Sequence, residues 1–177
     1  AICKAMLETE ITPDFITVDG AEGGTGAAPQ VFSDRLGFPL REGLLLVNNA
    51  LVGVGLRDSV RIAASGMRMA GYEIASAMAL GADWCNVARG FMFSIGCIQA
   101  MACNTNNCPT GVTTHKAHLQ QGLVPETKAV SVKNFVEKMD KDVDMIAHSC
   151  GVEHARGLRR HHVRIMQSNG RSVPMDE

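Results

Sequence analysis

Three cysteines lie close together near the middle of the chain: Cys97, Cys103 and Cys108, in the pattern Cys-x5-Cys-x4-Cys. Thiolates are soft ligands, and several of them close in sequence are typical of zinc, copper or iron–sulfur sites. Structural zinc usually takes four ligands in closely spaced pairs, which this pattern lacks. Three cysteines, the last of them followed by Pro109, are better suited to a cluster with three protein-bound irons. The pattern therefore predicts an iron–sulfur site.

The alternative is that these three thiols are simply buried, because free cysteine is among the most buried residue types. The remaining cysteines, Cys3, Cys85 and Cys150, fit no ligand spacing and are predicted to be core residues. Six cysteines in 177 residues are too few for a disulfide scaffold. A reducing compartment would keep them as thiols.

A second unusual segment is rich in glycine, since four of the seven residues from Gly20 to Gly26 are glycines. It directly follows the β-branched segment 14–19, which predicts a buried strand that ends at a functional turn. Glycine allows another group to approach the backbone closely. The loop therefore predicts a binding site.

The surrounding sequence supplies the elements that would position these two segments. Strand patterns end near glycine twice more, and helical patterns lie between them. The predicted strands are 14–19, 60–66 and 84–88, and the predicted helices are 1–10, 41–54 and 71–80. This alternation predicts an α/β fold in which helices cover a parallel sheet.

Two architectures have this alternation: the open doubly wound sheet and the eight-fold barrel. The dinucleotide-binding form of the first requires Gly-x-Gly-x-x-Gly directly after a strand. The nearest stretch begins at Gly24 and has Pro29 where the third glycine belongs. We therefore predict the carboxyl-terminal part of a (β/α)8 barrel, comprising about three βα units.

The chain changes character after the cysteine segment. Residues 131–149 repeat apolar side chains on one helical face, which predicts an amphipathic helix docked on the outside of the barrel. The tail 156–164 is basic, but no aromatic residue interleaves its charges, which argues against nucleic-acid binding. We expect residues 1–114 to form the barrel part, with the iron–sulfur loop at 97–108, and residues 115–177 to form a helical extension.

The composition narrows the class of protein. Seventeen basic and eighteen acidic residues give a formal net charge of -1, so electrostatics provide no reason to expect nucleic acid or a membrane surface as a partner. No apolar run reaches membrane-spanning length, and the first residues lack the pattern of a signal peptide. We expect a cytoplasmic protein with no nucleic-acid or membrane partner.

Three motifs together resemble one known family. The glycine loop from Gly20 to Pro29, the helix end at 81–83 and the cysteine segment from Gly96 to Val112 are similar to the FMN-binding synthase domain of glutamate synthase. The resemblance is greatest to the shorter, stand-alone bacterial proteins called glutamate synthase-like. It is strong for residues 12–114 and looser in the tail.

The resemblance implies a (β/α)8 barrel with FMN at the carboxyl ends of its strands. It also implies a three-iron, four-sulfur (3Fe-4S) cluster beside the flavin, held by Cys97, Cys103 and Cys108. The implied reaction reduces 2-iminoglutarate, formed from 2-oxoglutarate and ammonia, to L-glutamate. Electrons would arrive from ferredoxin or from an NADPH-oxidising subunit and pass through the cluster to FMN.

The resemblance further implies which residues face the flavin. Barrel enzymes commonly bind phosphate at the loops after strands seven and eight, where glycine N–H groups and an arginine suit an anion. Glu22 either donates a hydrogen bond or proton in the imine step or ties its own loop through backbone N–H groups. The expected cofactor-binding residues are Gly23, Gly24, Thr25, Gly26, Ser65, Gly66, Met67, Ala88, Arg89 and Gly90.

Two departures from the family pattern concern the flavin and the substrate. Residues 65–67 read Ser-Gly-Met where many members have Asp-Gly-Gly, and residues 21–22 read Ala-Glu where the larger synthases have His-Asp. Related proteins also act on neighbouring amino-acid chemistry, such as the formation of N-methylglutamate.

A whole barrel takes about 250 residues, and only three barrel strands are predicted here. A partial barrel exposes a sheet edge and an apolar face. We therefore expect either a longer polypeptide that supplies the upstream half or association into a homo-oligomer.

Three other functions stay open. They are another FMN-barrel oxidoreductase such as a 2-hydroxy-acid oxidase, a non-catalytic iron–sulfur electron-transfer subunit, and a zinc-binding structural module.

Overall fold

A computed structural model describes residues 1–23, 28–66 and 68–175, with the backbone alone at residues 30, 34 and 35. The helices in these ranges are α1 (Ile2–Thr9), α2 (Gln30–Arg35), α3 (Leu40–Gly53), α4 (Gly71–Ala79), α5 (Arg89–Ser94), α6 (Ala117–Gln120) and α7 (Pro125–Ser149). The strands are β1 (Phe15–Asp19), β2 (Arg61–Ser65), β3 (Trp84–Asn86), β4 (Arg164–Met166) and β5 (Ser172–Pro174).

The first three strands form a parallel sheet in the order β1-β2-β3, which confirms the predicted parallel α/β arrangement. Asp19 lies opposite Ser65, and Ser65 lies opposite Asn86. The carboxyl ends of all three strands therefore meet at one edge of the sheet. The loops that follow them are brought together by this register.

The main core lies between the sheet and α3. Leu40, Leu44 and Leu51 are spaced four and seven residues apart, so they share one helical face and are fully buried there. Ile62 on β2 and Val60 before it are buried against them. The apolar face of α3 therefore holds this helix on the sheet.

The predicted amphipathic helix is present as α7, although it begins at Pro125 and not at 131. Proline suits this first helical position because its missing N–H would have no partner in the helix. Val143 and Ala147 are buried, and α7 packs against α4 and α5. The expected extension at 115–177 is not purely helical, because β4 and β5 pair as an antiparallel hairpin near its end.

Arg57 joins the amino-terminal ends of β2 and β3. Its guanidinium donates to the Asp83 carboxylate at 2.9 Å, the Gly81 carbonyl at 2.7 Å and the Val60 carbonyl at 3.1 Å. Asp83 also accepts a bond from the backbone N–H of Ile62 at 2.7 Å. The side chains of Arg57 and Asp83 are only 20% and 15% exposed. Their charges are therefore largely shielded from water and are neutralised mainly by each other.

We expect Arg57→Met to lower the free energy of unfolding by about 2–3 kcal/mol, because it leaves the Asp83 carboxylate partly buried without its main partner. Arg61→Met is the matched control. Arg61 contacts the same carboxylate at 3.4 Å but is 60% exposed. Urea unfolding of both variants measures the difference, and equal losses would contradict this account.

Candidate active site at the carboxyl ends of the strands

The last residues of β1 and β2 are hydrogen-bonded to each other at the carboxyl ends of the strands. The Ser65 hydroxyl donates to the Asp19 carboxylate at 2.8 Å, and the backbone N–H of Gly20 donates to the Ser65 carbonyl at 2.9 Å. The Ser65 hydroxyl is therefore committed to Asp19. The two bonds fix the point from which the glycine loop departs.

An ion pair connects the loops after β1 and β2 further out. Arg68 Nη2 lies 3.5 Å from Glu22 Oε2, and both side chains are largely shielded from solvent. The Arg68 backbone N–H donates to the Gly66 carbonyl at 2.6 Å, and Gly66 has a φ of +152°, which disfavours any side chain there. The ion pair therefore sits over a tight glycine turn.

Arg89 brings in the loop after β3. Its guanidinium donates to the Gly23 carbonyl at 3.3 Å, while the Gly23 N–H donates to the Ser33 carbonyl at 3.0 Å. Gly90, next to Arg89, is buried, and a Cβ there would lie 2.7 Å from the Phe135 ring on α7. Gly90 is therefore required for close packing of α5 on α7.

The structure thus brings many of the predicted cofactor-binding residues to one edge of the sheet. These are Gly23, Ser65, Gly66, Ala88, Arg89 and Gly90, and the candidate catalytic residue Glu22 lies beside them. Their chemistry fits an anionic group of a cofactor, because an arginine and a tight glycine turn lie on the same edge. Four further predicted residues lie outside the described residues: Gly24, Thr25, Gly26 and Met67.

Sequence patterns alone do not single out Arg68. The signal that could have found it is a lone cation directly after a strand-end glycine turn. A cavity of about 320 Å³ opens beside it and is lined by Glu22 and Arg68 together with residues of α3 and α4. That volume lies at the lower end of the range for small-molecule pockets.

The cysteine segment begins where α5 ends. Cys97 and Cys103 are partly buried and Cys108 is buried, and all six cysteines of the chain are free thiols in this structure. Within the described ranges, which include all six, no three His, Cys, Asp or Glu side chains lie close enough together to hold a metal ion. The arrangement therefore does not assemble the predicted ligand set of Cys97, Cys103 and Cys108.

Cys108 nevertheless has the chemistry of a thiolate. Hydrogen bonds from the Thr110 hydroxyl and the Thr113 backbone, partly opposed by burial, lower the pKa of the Cys108 thiol from 9.0 to about 6. The Thr110 hydroxyl lies 3.4 Å from the sulfur. A sulfur with this pKa is largely ionised at neutral pH, as a soft metal ligand must be.

A network of polar contacts closes the segment behind Cys108. The Thr114 hydroxyl donates to the Asn106 carbonyl at 2.8 Å, and the Asn106 side chain accepts the His115 backbone N–H at 2.6 Å. Asn106 has a φ of +61°, a left-handed conformation that asparagine tolerates better than most residues. These bonds fix the segment that leads from the cysteines to α6.

The other cysteines lie where the sequence predicts. Cys3 and Cys85 pack against the main core, and Cys150 packs against a second cluster formed by Ala75, Ala79 and Leu158. Burial raises the pKa of the Cys85 thiol to about 11, partly opposed by the nearby charge of Arg68. These three thiols are packing residues.

No helix among the described residues is both long and apolar enough to cross a bilayer.

Comparison with known proteins identifies the family. The profile described as "Conserved region in glutamate synthase" matches residues 3–153. The chain therefore belongs to the glutamate synthase family, as its three motifs predicted.

Two prokaryotic relatives match nearly the whole chain. It is 41% identical over 164 residues to the glutamate synthase large subunit-like protein YerD of Bacillus subtilis, covering 93% of this chain and 31% of the relative. It is 32% identical over 152 residues to the archaeal glutamate synthase [NADPH] of Methanocaldococcus jannaschii, covering 86% of this chain and 30% of the relative. The chain thus spans about a third of the length of these relatives.

Similar solved structures support the fold. A flavocytochrome b2 mutant superimposes with a TM-score of 0.54 at 14% identity, covering 89% of this chain and 31% of that one. A second mutant of the same protein, with pyruvate bound, gives a TM-score of 0.53. At this identity the likeness concerns the fold alone.

We expect the Cys108 thiol to titrate near pH 6 in iron-free protein, as followed by the ultraviolet absorbance of the thiolate against Cys108→Ser. Thr110→Val removes the hydroxyl beside the sulfur, so the midpoint should move upward towards 9.0. Thr105→Val is the matched control, because its hydroxyl donates to the Ala102 carbonyl instead. An unchanged midpoint in Thr110→Val would contradict the assigned cause.

The same shift predicts how stability depends on pH. Between pH 6 and 9 the unfolded chain binds more protons at this thiol than the folded chain does. The free energy of unfolding should therefore rise with pH across that window and lose this contribution as pH falls through about 6. Comparing urea unfolding of the wild type and Cys108→Ser across the window measures the contribution, and parallel curves would argue against it.

Proposed function

We propose that this chain is the flavin-facing part of a cytoplasmic oxidoreductase of glutamate synthase type, built on the carboxyl-terminal part of a (β/α)8 barrel. It would bind FMN and form L-glutamate by reducing 2-iminoglutarate, itself formed from 2-oxoglutarate and ammonia. The observation that carries the proposal is the meeting of three strand-end loops at one sheet edge, with Arg89 and Gly66 among them, in a chain of this family. FMN, when bound, supplies the hydride chemistry that such a reduction requires.

In this proposal the residues at the sheet edge bind and orient the cofactor. Arg89 offers a charged guanidinium to the phosphate, and Gly66 allows the backbone to approach it. Gly90 contributes indirectly, because it sets the position of α5 and with it Arg89. Ser65, Met67, Ala88 and the glycine loop at 23–26 complete the proposed set.

We extend the proposal to the cysteine segment. Cys97, Cys103 and Cys108 are not close enough together in the described structure to hold a metal ion. In this proposal they move together around a 3Fe-4S cluster when iron and sulfide bind. The thiol chemistry and the low pKa of Cys108 support this assignment. The cluster would serve electron delivery from ferredoxin or from an NADPH-oxidising subunit. One relative, from Arabidopsis thaliana, is named ferredoxin-dependent glutamate synthase 2, chloroplastic; it is 38% identical over 107 residues, which cover 60% of this chain and 7% of the relative.

We further propose that a longer polypeptide supplies the upstream half of the barrel. β1 is an edge strand of the described sheet, and Phe15 at its start is 51% exposed. The relatives are about three times as long as this chain. The intact mass of the natural protein checks this point: a subunit well above 18.9 kDa supports it, and a subunit at that value favours a homo-oligomer.

Flavin binding tests the central part of the proposal. We expect the intact protein to bind FMN, and Arg89→Met to weaken FMN binding by about tenfold to a hundredfold through loss of a charge-assisted hydrogen bond. Riboflavin, which lacks the phosphate, should be affected much less. Arg61→Met is the control, because Arg61 lies at the opposite end of β2.

Fluorescence titration of FMN and riboflavin measures all these affinities. A wild-type protein that binds no flavin but contains an iron–sulfur cluster would favour the alternative of a non-catalytic electron-transfer subunit. Equal losses for FMN and riboflavin in Arg89→Met would remove Arg89 from the phosphate site.

Iron binding tests the cysteine assignment separately. Anaerobically purified protein should contain iron and sulfide and show a three-iron signal in electron paramagnetic resonance, and Cys103→Ser should lose it. Cys150→Ser is the matched control, because Cys150 packs in the core far along the chain from the cysteine segment. A folded wild type without iron or sulfide would show that the three thiols are only buried, and zinc in its place would indicate a structural module.

A further inference from the structure

The Glu22–Arg68 ion pair differs in its surroundings from the ion pairs on the protein surface. Arg68 is only 20% exposed and Glu22 only 35% exposed. Lys133 and Glu137 on α7 have the same separation of 3.5 Å, but they are 71% and 63% exposed. Water screens the α7 pair far more strongly, so the Glu22–Arg68 pair has the greater capacity to hold a side chain in place.

The position of Arg68 has a local cost. Its Nε is buried and has no hydrogen-bond acceptor among the residues that the structure describes. Its charge also reaches Cys85 on β3, where it opposes the effect of burial. A buried N–H without an acceptor is unfavourable, and sequences tolerate such costs mainly at functional sites.

The ion pair fixes where the Glu22 carboxylate lies. The backbone of Arg68 is bonded to the Gly66 carbonyl, and a Cβ built on Gly66 would lie 3.9 Å from Glu22 Oε2. The carboxylate is therefore held beside the turn at the end of β2, although Glu22 belongs to the loop after β1. Without Arg68, no other described ion pair would hold it there.

We propose that Arg68 is a positioning residue that holds the Glu22 carboxylate beside Gly66, so that Glu22 meets the bound ligand as a hydrogen-bond acceptor and not as a proton donor. The proposal rests on the proposed flavin site. A carboxylate in an ion pair offers acceptor oxygens and carries no proton. Glu22 then acts through its acceptor oxygens, and the ligand group that it recognises is a hydrogen-bond donor, either N–H or O–H.

A double-mutant cycle in the intact protein tests this assignment. Arg68→Met and Glu22→Gln should each lower kcat/KM for 2-oxoglutarate by a similar factor, about tenfold to a hundredfold. Each substitution breaks the same ion pair, so the side chain at position 22 is no longer held in place. The double variant should be no worse than either single variant, since both remove one interaction. Arg68→Lys keeps the charge and should recover most of the activity.

The pH profile separates positioning from proton transfer. If Glu22 only accepts a hydrogen bond, Glu22→Gln keeps the shape of the profile of kcat against pH. If Glu22 gives the proton, Glu22→Gln loses one limb of that profile and Arg68→Met keeps it, which overturns the proposal. Full activity in Arg68→Met overturns it as well. Lys133→Met, which breaks the exposed pair of equal length on α7, should leave activity unchanged.

A measurement without flavin keeps this inference separate from the proposed function. Hydrogen exchange of residues 20–23 in flavin-free protein should speed up equally in Arg68→Met and Glu22→Gln, and not in Lys133→Met. Slow exchange in both variants would remove the positioning role even in an active enzyme. A wild-type protein that binds no FMN would instead contradict the proposed function, whatever the exchange data show.

Discussion

The parallel register of β1, β2 and β3 is the constraint on which the rest of the structure depends. It sets Asp19, Ser65 and Asn86 side by side, and the three loops that follow must then share one edge of the sheet. Every contact between these loops, from the Ser65–Asp19 hydrogen bond to the Arg89 contact with Gly23, requires that alignment. A strand displaced by one residue would turn its side chains to the opposite face and separate the loops.

The amino-terminal and carboxyl-terminal ends of the three strands make different kinds of contact. At the amino-terminal edge, Arg57 and Asp83 satisfy backbone and side-chain groups of both neighbouring strands. At the carboxyl-terminal edge, the polar groups of Ser65, Arg68 and Arg89 hold the loops in place. The buried Nε–H of Arg68 has no acceptor among the described residues. In α/β barrels, residues for stability and residues for function generally lie at opposite ends of the strands, and the contacts of this sheet are divided in a similar way.

The cysteine segment contains one sulfur that is stabilised as a thiolate, but its three cysteines do not converge. Cys108 is held by hydrogen bonds that favour its thiolate, and the Asn106–Thr114 contacts fix the chain behind it. Among the described residues no three ligands converge, so the spacing of three cysteines does not by itself bring their sulfurs together. Convergence of three sulfurs depends on how the rest of the segment folds and on whether an ion binds there.

The sequence by itself determined the elements and the family. Apolar helical patterns predicted α1, α3, α4 and α7, and short β-rich runs that end near glycine predicted the three parallel strands. The short helices α2, α5 and α6 and the hairpin β4–β5 were missed, and a helix of four to six residues is too short to show a helical period. Glycine and cysteine motifs also identified the glutamate synthase family correctly.

Only the tertiary structure decided which of these residues meet. Arg68 and Glu22 are 46 positions apart, and their contact depends on the crossover that returns the chain parallel to β1. Gly90 has a phosphate-loop pattern in sequence, yet its close approach to Phe135 shows that packing requires it. Residue types and spacing report local preferences, whereas contacts between distant loops depend on strand order and register, which a single sequence does not display.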